Sequence, residues 1–305
     1  MTREEVVSLL GPEGICGPVD VAVESTARKD GFDLVVFSYA ASDGERVKAL
    51  LLLPWEKKGK LPLIICHHQH GGRYDAGMTE PVGLCENPAN TFALTMVHAG
   101  FAVLCPEQIG FGQRREIDPK TGELMNGRDN ERWLFMHYYL IGRTYLGKCL
   151  RDLSRAVDAL SFFQEVDTER IGICGHSMGG LIAFWDGWYD LRIKAIFSCC
   201  GFSYLQLLQD RHINHTFTMY LPGMLLHGDT PLLTDMIAPR PLYLTFGEED
   251  HIFPPDGSKR IISHAKEVYA KQGASDRFTG EVTPDGHIFT MEKQEKAVSF
   301  FRKWL

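Results

Sequence analysis

RIGICGHSMGGL, at residues 170–181, joins an apolar run to a glycine-flanked turn and to an apolar stretch that continues to Trp185. The pattern predicts a strand, a sharp turn and a helix, with Ser177 at the tip of the turn. Gly175 and Gly179 lie two residues before and two after the serine, where they allow the strand and the helix to pack closely. The turn therefore presents the Ser177 hydroxyl for reaction, and Ser177 is the candidate nucleophile.

A serine nucleophile needs a base that takes its proton and a carboxylate that orients the base. Downstream, the apolar run 241–246 predicts a strand, and Asp250 follows its carboxyl end. A further short strand is predicted at 278–282, and His287 lies in the turn that follows it. We therefore expect Asp250 to be the acid and His287 to be the base.

Other residues compete for both roles. Glu248 and Glu249 come just before Asp250 and are alternative acids. Among the twelve histidines of the chain, His251 adjoins the acid and His264 lies on a predicted helix. His287 is preferred to them because it follows the final predicted strand.

Predicted strands and helices alternate along the chain, and 44% of its residues are hydrophobic, which is enough for a large core. This alternation predicts a mostly parallel sheet of about eight strands flanked by helices, in a single domain over residues 1–305. The first two strands form a predicted hairpin around the turn 42–44. The predicted strands are 33–40, 46–53, 61–66, 101–105, 170–174, 193–198, 241–246 and 278–282.

Charge and hydropathy restrict the classes of partner. The formal net charge of −7 is spread along the chain with no basic cluster, so nucleic acid is not expected as a partner. No stretch reaches the roughly 18 uninterrupted apolar residues that span a bilayer, so no membrane partner is expected. Residues 1–10 lack the basic and apolar regions of a secretory signal and predict a short surface helix.

The cysteines bear on the compartment. No C-x-x-C spacing occurs, and several cysteines fall in predicted buried segments, where a thiol behaves as a small hydrophobe. We expect structural thiols in a reducing cytoplasm, in preference to disulfides or metal ligands. The alternative is a chain whose secretory signal has already been removed. The eight cysteines are at positions 16, 66, 85, 105, 149, 174, 199 and 200.

The order Ser177, Asp250, His287 resembles that of the α/β-hydrolase superfamily, and the resemblance covers nearly the whole chain. Three further segments are similar to the dienelactone hydrolase and acetyl xylan esterase-like branch. They are HHQHGG at 67–72, PEQIGFG at 106–112 and APRP at 238–241. The resemblance implies an α/β-hydrolase fold and a serine hydrolase that uses these three residues.

The oxyanion formed during acyl transfer needs hydrogen-bond donors that are already aimed at it. The backbone N–H of Met178, at the start of the helix after the nucleophile, is the expected first donor. The resemblance implies a second donor in the turn after the strand 61–66 and favours the N–H of His70, with Gln69 as the alternative. Many esterases have H-G-G-G or H-G-Y there, whereas this chain has HQHGG at 68–72.

Two stretches, about 113–147 and 201–237, interrupt the alternation of strands and helices and are rich in aromatic, His and Met residues. The active site of an open parallel sheet lies beyond the carboxyl ends of its strands, so these insertions are expected to form a pocket or lid. Local packing is the alternative role for each aromatic residue, and for Glu107 it is a buried salt bridge to Arg114, Arg115 or Arg143. The pocket candidates are Glu107, Trp133, Tyr138, Phe202 and Tyr204, followed by Tyr139, Phe217 and Tyr220.

His67, His68 and His70 superficially resemble metal ligands. Adjacent residues of an extended segment point to opposite sides, however, and a structural zinc ion normally takes four ligands. No metal site is therefore expected. Acyl transfer of this kind needs no cofactor, and no Gly-rich phosphate-binding loop occurs in the right setting, so none is predicted.

The sequence predicts a serine hydrolase that cleaves carboxylic esters through an acyl-enzyme intermediate. The expected partner is a small-molecule ester with a small or medium acyl or acetyl group, and carbohydrate esters and lactones are included. The sequence is also compatible with a homo-oligomer. The alternative is an amide or carbon-carbon bond hydrolase with the same triad, because the fold hosts many chemistries. A non-catalytic receptor that retained the fold would predict a damaged triad, whereas this chain has all three residues.

Overall fold

The computed structural model describes residues 1–12, 17–56 and 59–305, and nine strands within these ranges form one sheet. The strands are β1 (Val21–Arg28), β2 (Phe32–Ala40), β3 (Arg46–Pro54), β4 (Leu61–His67), β5 (Ala102–Pro106), β6 (Val166–His176), β7 (Ile193–Cys199), β8 (Leu242–Gly247) and β9 (Phe278–Thr283).

Their order across the sheet is β1-β2-β3-β5-β4-β6-β7-β8-β9. Neighbouring strands from β1 to β5 in this order are antiparallel, and those from β5 to β9 are parallel. The predicted mostly parallel α/β sheet is confirmed, with nine strands in place of about eight. The predicted hairpin is β2 and β3.

Ten α-helices lie in the described parts of the chain. They are α1 (Arg3–Leu9), α2 (Phe92–His98), α3 (Gly127–Leu140), α4 (Tyr145–Ala159), α5 (Met178–Tyr189), α6 (Leu205–Asp210), α7 (Met224–His227), α8 (Thr234–Ile237), α9 (Pro255–Lys271) and α10 (Met291–Trp304). Short 3-10 turns occur at Gly77–Thr79, Gly112–Arg114, Leu160–Phe162, Phe217–Met219, Thr230–Leu233 and Ser275–Arg277.

The sheet separates two apolar cores. Every residue of β5 and β8 is buried, which explains why parallel strands covered on both faces have nearly continuous apolar sequences. Successive residues of a strand face opposite sides, so Leu51 and Ile65 belong to one core and Leu50 and Ile64 to the other. Helices α4, α5 and α9 cover the first core, and α2 and α10 cover the second.

Strand β1 and the helices inside the insertions are not among the elements that the sequence predicts. Strand β1 has the sequence VAVESTAR, is almost entirely exposed and pairs only with β2 at the edge of the sheet. A strand with no buried face carries little of the apolar alternation from which strands are recognised. Helix α3 lies inside the first insertion, where the side chain of Asn126 caps it by accepting a hydrogen bond from the N–H of Arg128.

Both insertions emerge beyond the carboxyl ends of parallel strands. Residues 113–147 follow β5 and contain α3, and residues 201–237 follow β7 and contain α6, α7 and α8. They are therefore placed at the same edge of the sheet as the nucleophile turn, which follows the parallel strand β6. This is the edge at which open α/β sheets bind ligands.

No helix in the described ranges has both the length and the hydropathy needed to cross a membrane. The seven cysteines in those ranges are free thiols, and six of them are buried. Cys66 and Cys174 pack against each other across β4 and β6, with 3.7 Å between their sulfur atoms. Cys16 lies outside the described residues.

Asp186 is a fully buried carboxyl group in α5. Neither of its oxygens has a hydrogen-bond partner among the described residues. Burial, and then the negative charge of Asp190, raises the pKa of Asp186 well above its ordinary value. The folded chain therefore holds this proton at a pH at which the unfolded chain releases it.

Substitution Asp186→Asn should stabilise the protein more as the pH rises. A raised folded-state pKa means that stability is fully present below the unfolded-state pKa and is lost as pH rises towards the folded-state value. The advantage of the variant in free energy of unfolding should grow by about 1 to 2 kcal/mol between pH 5 and pH 7. Urea denaturation at both pH values measures it. Asp276→Asn, an exposed change, should give a constant difference from the parent; a constant difference for Asp186→Asn would contradict the prediction.

Candidate active site

The nucleophile turn joins the end of β6 at His176 to the start of α5 at Met178. Ser177 has φ 57° and ψ −123°, a conformation that costs a non-glycine residue about 1 to 3 kcal/mol. Its N–H donates to the Cys199 carbonyl at 3.0 Å, and its own carbonyl accepts from the N–H of Leu181 at 2.9 Å. The turn is thus held by hydrogen bonds to the neighbouring strand and to its own helix.

Glycine is required on both sides of the serine. A Cβ atom on Gly175 would lie 2.3 Å from the carbonyl group of Gly179, and one on Gly179 would lie 2.0 Å from the carbonyl oxygen of His67. Both distances are shorter than real Cβ contacts, so any side chain here would push α5 away from the sheet. The structure thus agrees with the prediction that glycines at these two positions let the strand and the helix pack closely.

The structure brings the three candidate triad residues together. Asp250 follows β8, His287 follows β9, and the His287 ring lies between Asp250 and Ser177. His287 Nδ1 is 2.8 Å from Asp250 Oδ2, and His287 Nε2 is 2.8 Å from Ser177 Oγ. This is the geometry in which an imidazole accepts the serine proton while a carboxylate orients it.

Asp250 is held as a buried carboxylate. Burial raises its pKa, but the hydrogen bond and charge of His287, with the backbone N–H groups of Phe253 and Ile252, outweigh burial and bring the pKa below its ordinary value. The two N–H groups donate to Oδ1 at 2.8 and 2.9 Å, which leaves Oδ2 for His287. Since an ionised carboxylate only accepts, His287 carries its proton on Nδ1 and has Nε2 free to accept from Ser177.

The competing residues lie elsewhere. Glu248 and Glu249 are exposed, and Glu248 pairs with Lys259 at 3.2 Å. His264 lies on α9, where its Nε2 is 3.3 Å from Asp235 Oδ2. His251 adjoins Asp250 and lines the cavity described below, but the hydrogen bonds to Asp250 and Ser177 are made by His287.

A cavity of about 990 Å³ opens over Ser177 and His287. Its walls come from the turn after β4, from α3 and the segment 209–220 of the two insertions, and from the segment after Asp250. Both predicted insertions therefore contribute to the pocket. The lining residues include Gln69, His70, Tyr74, Arg128, Asp129, Glu131, Arg132, Met178, Asn214, His215, Thr216, Phe217, Tyr220 and Phe253.

Met178 and the turn 69–72 lie on this cavity together with Ser177. Met178 is the first residue of α5, where backbone N–H groups have no partner within the helix. Both predicted positions for the second donor, His70 and Gln69, also line the cavity. The residues expected to form the oxyanion hole thus line the same cavity as Ser177.

The structure revises the predicted pocket lining. Phe217 and Tyr220 line the cavity, but none of the first five candidates does. Trp133, on the exposed face of α3, stacks on His137 with 5.2 Å between ring centroids, and Tyr138 is buried in the core. Phe202 stacks on Phe184 with 4.0 Å between ring centroids, and the Arg260 guanidinium lies 4.3 Å from the ring of Tyr204. Local packing, the alternative role, is what these four aromatic residues show.

Glu107 is also absent from the cavity wall. Its Oε1 accepts from the N–H of Met78 at 3.0 Å and lies 3.4 Å from His68 Nε2. Arg114 instead donates to the backbone carbonyl of Glu107, and its ion pairs are with Glu45 and with Asp152. The carboxylate is buried as expected, but it forms no ion pair with the described Arg114, Arg115 or Arg143.

His215 and His176 lie beside the candidate triad, and both rings are neutral. Burial lowers the pKa of His215 to about 4, so its Nε2 carries a proton and donates to the Ile252 carbonyl at 3.1 Å. Burial lowers the pKa of His176 well below its ordinary value, and its Nδ1 lies 2.8 Å from Gln69 Oε1. The second contact ties the nucleophile turn to the expected oxyanion turn.

One group of side chains in the described ranges has donor types that suit a metal ion. It consists of His176, Cys200 and His287, whose ligand atoms lie within 4.8 Å of one another. His287 also belongs to the triad, so an ion held there would compete with Ser177 and Asp250 for its ring. The cluster 67–70 does not form such a group, since the ring nitrogens of His68 and His70 face Glu107 and Glu131 respectively.

Glu131, Tyr74 and His215 line the site but are not among the residues that the sequence predicts for it. Glu131 occurs in a polar helical stretch, GRDNERW, where a solvated surface is the ordinary expectation for an acid. A single sequence carries no signal that this one acid turns inward, because burial of a charge depends on partners from distant segments.

A nine-stranded sheet with a nucleophile turn after β6, an acid after β8 and a histidine after β9 defines an α/β hydrolase. The dienelactone hydrolase family matches residues 78–297, which is 220 of the 305 residues. The chain belongs to this family.

Comparison with individual proteins agrees with this assignment. The chain is 28% identical to the protein YtaP of Bacillus subtilis (strain 168), over 99% of this chain and 98% of that one. A glucuronoyl esterase from Solibacter usitatus superposes with a TM-score of 0.68 at 17% identity, over 98% of this chain and 91% of that chain. Acetyl xylan esterase 1 from Thermoanaerobacterium sp. JW/SL YS485 gives 0.66 at 16% identity, over 99% and 98%. At such identities the solved structures show the shared fold.

Strain at the nucleophile makes a prediction about stability. Ser177→Gly removes the Cβ atom that disfavours φ 57°, whereas Ser177→Ala removes the hydroxyl and keeps that atom. The glycine variant should therefore be more stable than the alanine variant by about 1 kcal/mol, after the extra flexibility of unfolded glycine is subtracted. Thermal unfolding of the two variants should separate their Tm values by roughly 2 °C. A glycine variant with the lower Tm would show that the turn is not strained.

Proposed function

We propose that this chain is a serine carboxylic-ester hydrolase that works through an acyl-enzyme intermediate. The observation that carries the proposal is the continuous hydrogen-bonded chain from Asp250 through His287 to Ser177, with both distances 2.8 Å. Ser177 and His287 of this triad face a cavity large enough for a small-molecule ester. Membership of a hydrolase family agrees with it.

In the first half-reaction, Ser177 Oγ attacks the ester carbonyl carbon and its proton passes to His287 Nε2. The carbonyl oxygen becomes an oxyanion, towards which the N–H groups of Met178 and His70 are the proposed donors. The intermediate collapses as the ester C–O bond breaks, and His287 gives its proton to the departing alcohol oxygen. Asp250 stays ionised and stabilises the imidazolium while it exists.

In the second half-reaction, a water molecule takes the place of the alcohol. His287 accepts one proton of the water as its oxygen attacks the acyl carbon, and then returns that proton to Ser177 Oγ as the acid leaves. The reaction consumes an ester and water and yields an acid and an alcohol. Each residue ends in the state in which it began.

The cavity lining supports an ester with a polar part. Charged and amide side chains such as Arg128 and Asn214 share the wall with aromatic rings such as Tyr74 and Phe217. Carbohydrate esters and lactones combine a polar, ring-shaped body with a small reactive carbonyl, and we propose them as the substrate class. The names of the superposed glucuronoyl and acetyl xylan esterases are in line with this class.

The serine mechanism predicts that Ser177→Ala abolishes ester hydrolysis. Turnover of p-nitrophenyl acetate should fall by about 10⁴-fold or more, because the residual rate no longer uses the nucleophile. A fluorophosphonate should add once to the parent chain, at Ser177, as intact mass and peptide mapping detect.

The exposed Ser161 provides the control. Ser161→Ala should keep both the activity and the label. A folded parent chain that neither turns over p-nitrophenyl esters nor takes the label would overturn the proposal, and preferred turnover of a p-nitroanilide would favour the amide-hydrolase alternative.

The identity of the acid makes a separate prediction. Asp250→Asn leaves the shape of the site unchanged but places a neutral amide against His287, so the favoured tautomer is lost. At neutral pH kcat should fall by about 10³- to 10⁴-fold. The matched change at an alternative acid, Glu248→Gln, should leave kcat near that of the parent, since Glu248 is exposed and pairs with Lys259. Steady-state kinetics of both variants on one ester identifies the acid. A larger loss of kcat for Glu248→Gln than for Asp250→Asn would remove Asp250 from the triad.

A further inference from the structure

Glu131 presents a buried carboxylate on which two separate segments converge. It lies in α3, and its residue is only 3% exposed. Its Oε2 accepts from Tyr74 OH at 3.0 Å and lies 3.1 Å from His70 Nε2. Its Oε1 accepts from the N–H of Phe217 at 2.9 Å and from the hydroxyl of Thr216. One side chain of the first insertion thus holds both the turn after β4 and the second insertion.

The carboxylate is ionised in this environment. Burial raises the pKa of Glu131, but the hydrogen bonds from His70, Thr216 and Tyr74 outweigh burial and bring the pKa below its ordinary value. An ionised carboxylate only accepts hydrogen bonds, so each of its neighbours must donate. His70 therefore carries a proton on Nε2.

The other nitrogen of the same ring is also engaged. The N–H of Gly72 donates to His70 Nδ1 at 3.0 Å. The ring therefore bridges Glu131 to the backbone of its own turn. Edge-on contacts with Tyr74 and Phe111, with 4.8 and 5.5 Å between ring centroids, hold the ring from the sides.

The turn needs such a support. Gly71 and Gly72 follow His70 with φ 51° and φ 70°, both in the left-handed region. Two consecutive glycines adopt many other conformations at little cost, so the turn stays in this one only if contacts from outside hold it. An oxyanion donor works only when it is fixed in advance, within about 3 Å of the place where the oxyanion forms.

We propose that Glu131 is a positioning residue for ester hydrolysis, which fixes the His70 ring and thereby aims the backbone N–H of His70 at the oxyanion. The inference rests on the proposed serine-hydrolase function and goes beyond it, because Glu131 touches none of the reacting atoms. Through Thr216 and Phe217, the same carboxylate sets the second insertion against the oxyanion turn. The pocket wall and the oxyanion hole are then one connected unit.

The test is the kinetics of Glu131→Gln with p-nitrophenyl acetate. Glutamine keeps the length of the side chain but has one acceptor oxygen in place of two, so it cannot accept at once from His70 and Tyr74 on one side and from Phe217 and Thr216 on the other. The donor at His70 then loses its fixed position, so kcat should fall by about 10- to 100-fold. KM should change by less than about 3-fold, because the oxyanion exists only after binding. The rate of fluorophosphonate addition to Ser177 should fall in parallel with kcat.

Two comparisons separate this role from general structural damage. Glu123→Gln removes an exposed acid from the same insertion, outside the cavity wall, and should retain the parent kcat. In a His70→Ala background, Glu131→Gln should lower kcat by less than about 2-fold, since the ring through which it acts is already gone. A full additional loss in that background would overturn the inference, as would a rise in KM with kcat unchanged.

The outcomes distinguish this inference from the function on which it rests. An active parent chain beside an equally active Glu131→Gln overturns the positioning role alone. A parent chain that neither turns over nor labels overturns the proposed function and this role together. If Glu131→Gln lacks a cooperative unfolding transition, Glu131→Asp replaces it. The shorter carboxylate keeps the charge but not the reach to His70, so the same loss of kcat is expected, and an unchanged kcat overturns the role.

Discussion

The close approach of backbones around Ser177 is the constraint on which the rest of the structure depends. The first turn of α5 meets the sheet backbone to backbone at its glycines. A Cβ atom on Gly180 would lie 2.7 Å from the Cys199 carbonyl oxygen, and one on Gly201 would lie 2.4 Å from the backbone of Gly180. The chain can therefore turn from β6 into α5 within one residue. That residue is forced to positive φ, and its side chain is left pointing away from the packed backbones.

Parallel strand order brings the other residues of the candidate active site to Ser177. The carboxyl ends of β6, β8 and β9 lie at one edge of the sheet, so residues far apart in sequence meet there. The turns after β8 and β9 are also joined directly. The N–H of Glu249 donates to the Asp285 carbonyl at 2.9 Å, and a Cβ atom on Gly247 would lie 2.2 Å from the Gly286 carbonyl oxygen. The acid and the histidine are thus set beside each other by backbone contacts.

The sequence predicts those parts of this arrangement that depend on patterns of neighbouring residues. Apolar runs mark the buried strands, and the candidate nucleophile, acid and base each follow a predicted strand. The edge strand β1 carries no such rule, because its residues face solvent. The insertions are recognisable by composition, yet composition does not orient a side chain. Phe202 and Phe217 both lie in the second insertion, and only Phe217 reaches the cavity. Irregular segments have no period from which a facing direction follows.

The burial of Glu131 could not be predicted from the sequence either, because its hydrogen-bond donors come from distant segments. A cavity of this size removes the apolar packing that would otherwise fix its walls, so hydrogen bonds must do so. A buried carboxylate suits this purpose because it must accept hydrogen bonds from several donors. Each of these charge-assisted hydrogen bonds also fixes the position of the donor. Asp250 gathers His287 and two backbone N–H groups, and Glu131 gathers His70, Tyr74 and the second insertion. His287 is oriented by one buried charge, and the His70 ring in the turn after β4 is oriented by another. The site is therefore organised before any substrate enters, which is the condition under which fixed dipoles stabilise a developing charge most effectively.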